Sequence, residues 1–385
     1  MKYKRIFLII LDSLGVGATK DADRYGDGLA NSFFNVIKEE NIDFPNFRSL
    51  GMYNLAEDVE PEEVNGFYTK ATPNYKMKCS VISQYELMGS ICKMEYKRFN
   101  INEIDKEFLS LLETDVDRRI IFVNNDDDKN IINEYGINHM KNGNLIITYD
   151  YYNLKIFAHE SVIPLKTLVK LSRTIIDDFT DAGYFINKVI AKTFTGKPGE
   201  FVINKERGTI PFPDKDETVL SKIKKKGLKV ITIGKSAKIF NPNEITNICF
   251  TNNDLESAKR LIQSTILNFE GLCVTNLSEL NYCGHDRNPH NYLKVLKNFD
   301  NLLPLIMKQL TDDDLLIITS DQGNDPTYSG NDHTREKVPV LAFTPRFLKG
   351  GELPYLQTLA DVGATIADNF DIEMPYGTSF LKNIK

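Results

Sequence analysis

The sequence predicts an α/β protein built on a mainly parallel sheet, with a smaller α+β domain inserted into it. Three observations carry that expectation. Short apolar runs recur along the chain and stop at residues able to do chemistry. Stretches with helical spacing separate them. A differently patterned middle section lies between Met94 and Pro211-Phe212-Pro213. A chain of 385 residues is long enough for two domains. The expected division is a discontinuous core, 1–92 with 212–385, and an insertion, 93–211.

The first run, Ile6–Leu11, ends at Asp12, as a strand buried on both faces of a parallel sheet does. It is too short, and too abruptly acidic, for a secretory h-region or a membrane span, so a cytoplasmic location is expected. Cys79–Gly89 reads as a loop entering an amphipathic helix. In the insertion, Arg119–Val123, Asn144–Thr148 and Phe185–Thr193 are strand-like, while Lys129–Met140 and Pro164–Asp178 have helical spacing. The core resumes at Lys229–Ile233, which ends in Gly234-Lys235. A helix over Asn253–Phe269 then leads to the strand Leu272–Thr275. The helix Pro289–Leu310 precedes the strands Leu315–Thr319 and Val338–Phe343, and Thr358–Asn369 closes the fold as a helix.

A net charge of -6 excludes nucleic acid or an anionic membrane as the principal partner. The lysines of Lys222–Lys229 read as a solvated helix end before a strand. A small phosphorylated ligand is compatible with this balance, because a few focused cations suffice to bind it. The five cysteines form no CxxC pair, which points to free thiols and away from a structural zinc cluster.

The segment Leu315–Glu336 is the richest in chemistry. Its apolar run stops at Thr319-Ser320-Asp321, and a Gly/Asn/Asp loop then delivers His333, Arg335 and Glu336. An acid at a strand end and an imidazole on the next loop suit a metal with an anionic substrate. Asp12 reads either as a helix cap or as a carboxylate ligand. Ser80, at a helix start, is either a cap or a nucleophile, since the backbone N–H groups and dipole there favour an anion. His285 falls on a loop after Leu272–Thr275, as a capping residue or a ligand.

Together these segments resemble phosphopentomutase, an alkaline-phosphatase-superfamily family that interconverts ribose 1-phosphate and ribose 5-phosphate. The resemblance runs through LDSLGVGATKDADRYGDGLAN, INHMKNGNLIITYDYYNLKIFAHES, IGKSAKIF, GNDPTYSGNDHTREKVPVL, LADVGATIADNF and YGTSFL. It implies an alkaline-phosphatase-like core with an α+β cap, a phosphosugar substrate and two Mn²⁺ ions. One ion would lie on Asp12, Ser80, Asp321 and Gln322, with Ser80 as the phosphoryl-carrying residue. The other would lie on His285, His333 and Asn281. Arg207 and Lys235 would contact phosphate, and Asp150 or Tyr151 the sugar.

The chain departs from the family pattern at defined points. Gln322 stands for a histidine, Ser80 for a threonine, and Asn281 or Leu280, depending on where a one-residue deletion falls, for an aspartate. Ser83-Gln84-Tyr85 replaces Gly-His-Trp, Tyr151 stands at the aspartate for the sugar, and Ile203 replaces an arginine. Three activities fit this pattern: a mutase using Ser80 and weakened metal centres, a phosphosugar-binding pseudoenzyme, or a metal-dependent phosphatase.

Overall fold

The computed structural model describes all residues except 1, 41, 58, 93–94, 126, 151 and 213–215, together with the side chain of Asp150. The chain divides into two compact units, 1–92 with 216–385 and 93–215. The first unit opens with β1 (Arg5–Leu11), α1 (Ser32–Glu40), α2 (Pro45–Ser49), β2 (Phe67–Ala71) and α3 (Ser80–Leu87). The second holds α4 (Lys106–Asp115), β3 (Ile120–Val123), α5 (Asp128–Asn142), β4 (Leu145–Asp150) and β5 (Asn153–His159). It ends with α6 (Leu165–Asp181), β6 (Lys188–Thr195) and β7 (Val202–Pro211).

The chain then returns to the first unit through α7 (Val219–Lys225), β8 (Lys229–Gly234), α8 (Ser236–Ile239), β9 (Asn247–Cys249), α9 (Asp254–Thr265) and β10 (Gly271–Leu277). It continues through α10 (Glu279–His285), α11 (Pro289–Gln309), β11 (Asp314–Thr319), β12 (Val338–Phe343), β13 (Gly351–Glu352) and α12 (Ala360–Asn369). Its eight strands run in the order β13-β2-β12-β11-β1-β10-β8-β9. β1 is central and parallel to both β10 and β11, and β8 and β9 extend the parallel series. Only β12 runs against its neighbours, β11 and β2. The fold is thus α/β with a mainly parallel sheet.

The apolar runs become strands because both faces are covered. Every residue of β1, β10 and β11 is buried. On one side, Phe7, Ile9, Leu277, Leu293 and Leu296 join a core with Phe33, Phe44 and Phe47. Parallel pairing brings the ends of β1, β8, β10 and β11 to one edge, where α/β folds place their ligands.

The second unit carries the sheet order β3-β4-β5-β6-β7, alternating parallel and antiparallel pairs. Phe99, Leu112, Ile147, Leu168 and Phe179 form one core, and Ile131, Phe157, Phe194 and Phe201 form another. His139 and His159 are buried there, the backbone N–H of His159 donating to His139 Nε2 at 2.8 Å. No helix among the described residues is long and apolar enough to cross a membrane.

Three elements differ from the sequence expectation. His285 lies on the short helix α10 rather than on a loop, one turn after Asn281. Helix α3 is not amphipathic, because all its residues from Ser80 to Leu87 are buried. The expected strand Phe185–Thr193 begins only at Lys188, since Phe185 and Asn187 direct their N–H groups to Lys97 and Tyr152.

Candidate active site at the carboxyl edge of the large sheet

Asp12, Lys235 and Asp321 follow the ends of strands and Ser80 opens a helix, whereas Asn281 and His285 lie within α10 and His333 on the loop after β11. Asp12 follows β1, with its N–H donating to the carbonyl of Leu277 at 2.9 Å. Ser13 comes next with φ +80°, a strained left-handed conformation of the kind that gathers at functional sites. Its carbonyl accepts from Tyr292 Oη at 2.6 Å. Ser320 and Asp321 follow β11, and the Ser320 hydroxyl links the two strand ends by accepting from Leu14 N at 2.9 Å. Lys235 follows β8, and Ser80 is the first residue of α3.

The structure brings these side chains into one chain of contacts. Lys235 Nζ lies 2.5 Å from Asp12 Oδ2 and 3.3 Å from Ser80 Oγ. Ser13 Oγ donates to Asn281 Oδ1 at 2.9 Å and lies 3.3 Å from Asp12 Oδ1. Asn281 Oδ1 is in turn 3.0 Å from His333 Nε2, which is also 3.0 Å from Gln322 Nε2. The rings of His333 and His285 lie 4.6 Å apart. His285 Nδ1 is held by the carbonyl of Asn331 at 2.5 Å. A backbone carbonyl of this kind fixes the tautomer of a metal-binding imidazole and leaves the other nitrogen for the metal.

Gln84 had no signal of its own in the sequence beyond departing from the family motif. It is fully buried on α3 and donates through Nε2 to Asp321 Oδ2 at 3.1 Å. Ser13 N donates to the other oxygen, Asp321 Oδ1, at 3.3 Å. Ser236, beside Lys235, donates to Gln84 Oε1 at 3.4 Å. A glutamine on a short helix reads as a solvent-facing side chain, and only its burial shows it to be part of the site.

Burial sets the electrostatics. Asp321 is pushed well above the ordinary carboxylate range, first by burial and then by the charge of Asp12; Lys235 and the hydrogen bond from Gln84 oppose this. His333 is held well below the ordinary imidazole range by burial and by the charges of His285 and Lys235. It is therefore neutral at physiological pH.

The smaller unit holds the remaining candidates. Arg207 is exposed on β7, paired in register with Lys192, and Ile203 is paired with Phe194. Tyr151 and the side chain of Asp150 lie outside the described residues.

The fit of these donors to two divalent ions divides the site. Among the described residues no three His, Cys, Asp or Glu side chains are grouped to hold a metal. The group Asp12, Ser80, Asp321 and Gln322 does not fit such an ion. An ammonium already lies on Asp12, and amide and backbone N–H groups already donate to Asp321. A doubly charged ion about 4 Å from an ammonium would be repelled by about 8 kcal/mol at an effective dielectric of about 20. The group His285, His333 and Asn281 fits one divalent ion in donor type, though without a carboxylate. Among the described residues the buried Gln322 Oε1 has no hydrogen-bond partner. Turning over the Gln322 amide would bring its oxygen beside the imidazole as a further donor.

Comparison with known proteins places this geometry in context. The sequence profile of the metalloenzyme superfamily matches residues 4–374. The fold is similar to that of the PH0037 protein from Pyrococcus horikoshii, with a TM-score of 0.50, 14% identity, and coverage of 98% of this chain and 100% of that one. It is equally similar to phosphoglycerate mutase from Leishmania mexicana, whose structure was determined at low cobalt concentration. There the TM-score is 0.50 at 11% identity, covering 99% of this chain and 98% of that chain.

Proposed function

Because the chain belongs to the metalloenzyme superfamily, we propose that it acts on a phosphorylated small molecule, of the pentose phosphate type, by phosphoryl transfer through Ser80. One observation carries this reading: the Ser80 hydroxyl opens a buried helix 3.3 Å from the Lys235 ammonium. The first-turn N–H groups and this cation favour an anion there. A phosphate ester placed against Ser80 would have its non-bridging oxygens neutralised by Lys235, which also orients the hydroxyl for in-line attack. Ser80 Oγ would form the new bond to phosphorus as the bond to the sugar oxygen breaks, its hydroxyl proton passing to the departing sugar oxygen. The phosphoryl group would then pass to another hydroxyl of the same sugar, or to water. A divalent ion on His285 and His333 would supply further charge neutralisation when bound. Arg207, with Asp150 and Tyr151, is proposed to contact the phosphate and sugar on the strength of the sequence match.

A second reading has an observation in its favour. The polar groups of the site already satisfy one another along the line Ser80, Lys235, Asp12, Ser13, Asn281 and His333. That closure suits saturable binding of a phosphosugar without turnover. The two readings separate on incubation with ribose 1-phosphate, followed by mass spectrometry of the intact protein and analysis of the sugar. Transfer predicts one phosphoryl group on the protein and formation of the 5-phosphate, both lost in Ser80→Ala. Binding with neither product supports the second reading, and release of inorganic phosphate alone points to a phosphatase. No binding and no product would sink both.

A further inference from the structure

We propose that Lys235 is the built-in cation of this site, taking at Asp12 and Ser80 the part of one of the two divalent ions, so that the chain holds at most one such ion. The inference rests on reading this edge as an anion-handling centre. Its support is geometric. The Lys235 side chain is 17% exposed and ends on a carboxylate that is wholly buried, 2.5 Å away. The same ammonium lies 3.3 Å from the buried Ser80 hydroxyl, where a cation is needed to neutralise a transferred phosphoryl group.

The neighbouring substitutions point the same way. Asp321 is satisfied by Gln84 Nε2 at 3.1 Å and Ser13 N at 3.3 Å, both neutral donors. Gln84 is steadied by the hydroxyl of Ser236, the residue next to Lys235. Asn281 and Gln322 are amides, so neither adds negative charge. Two carboxylates and one ammonium leave at most a single net negative charge, far short of what two divalent ions require. Buried charges persist when they are paired and hydrogen-bonded; Asp12 meets that condition through Lys235 without a metal, and Asp321 is met by neutral donors alone.

The test counts Mn²⁺ bound per full-length chain after equilibrium dialysis, by elemental analysis and by electron paramagnetic resonance of the free ion. Wild type should hold no more than one ion. Lys235→Gln should hold one more than wild type, and its thermal midpoint should become dependent on added Mn²⁺. Lys235→Arg, which keeps the charge, should match the wild-type count. Two ions on the wild-type protein would overturn the proposal, as would a folded Lys235→Gln variant with no additional ion. The wild-type count decides the matter even where Lys235→Gln fails to fold. Phosphosugar binding, measured separately by calorimetry, distinguishes a wrong cation assignment from a wrong reading of the site.

Discussion

Glu336 shows how a single buried acid ties together the loops that carry the site. Its carboxylate accepts from Ser32 N at 2.8 Å, Ser32 Oγ at 2.6 Å and Thr334 Oγ1 at 2.6 Å. Gly15 and Gly323 flank it so closely that a Cβ on either would lie 2.0 Å or 2.3 Å from a carboxylate oxygen. Glycine at these two positions is therefore a requirement of close approach. Burial and the charge of Asp325 push the Glu336 carboxyl up to about 7, against the hydrogen bonds that favour its ionised form. Folding raises the proton affinity of this group, so its contribution to stability is complete below the unfolded value of 4.5. That contribution is lost as pH rises through about 7. Unfolding free energy measured in urea should fall by roughly 3 kcal/mol across this window on account of Glu336. Glu336→Gln should flatten that part of the slope. The share from Asp254, also raised to about 7 by burial, would persist. An unchanged slope in the variant would show that Glu336 titrates normally.

At the level of elements, legibility followed burial. The runs that became β1, β8, β10 and β11 announced themselves because strands covered on both faces have no polar side to interrupt them. Strand β7, Val202–Pro211, carries no strand signal in its sequence, because VINKERGTIP is exposed or half-buried at all but one position and shows no apolar alternation. Helix α10 was read as a loop because it has only seven residues and contains Gly284. What that glycine serves is packing: a Cβ there would lie 2.6 Å from Asn324 Cγ. The strand-end acids and Ser80 were legible as candidates, whereas the partnership of Lys235, Gln84 and Asn281 with them depends on contacts between distant segments. Helix α2 illustrates the same dependence. Its first N–H groups, from Asn46 and Phe47, are capped by Asp300 of α11 at 3.1 Å and 2.8 Å. Asp300→Ala should cost about 2 kcal/mol by leaving those donors buried and unpaired. Denaturant unfolding would measure it, and a loss below about 0.5 kcal/mol would argue that water takes over the cap.

For the molecule as a whole, the sequence pattern indicated an inserted section, and the structure divides the chain at 93–215. Each unit has its own sheet and its own apolar core. A fragment spanning 93–215 should therefore fold alone, with a cooperative thermal transition and dispersed amide resonances. A broad, non-cooperative melt would show that its core is insufficient without the rest of the chain. Superfamily membership over residues 4–374 fixes the scaffold, while the residues at the strand ends determine what chemistry it supports.

The ion pair between Lys235 and Asp12 also constrains which single substitutions the site tolerates. Asn281→Asp by itself would add a negative charge close to the Asp12 and Ser13 contact. Removing Lys235 by itself would strand a wholly buried carboxylate. Without a cation to take its place, each of these single changes leaves a buried charge uncompensated and the protein less stable. The pair therefore behaves as an interlock, in which neither Lys235 nor Asp12 can be exchanged without a compensating change beside it.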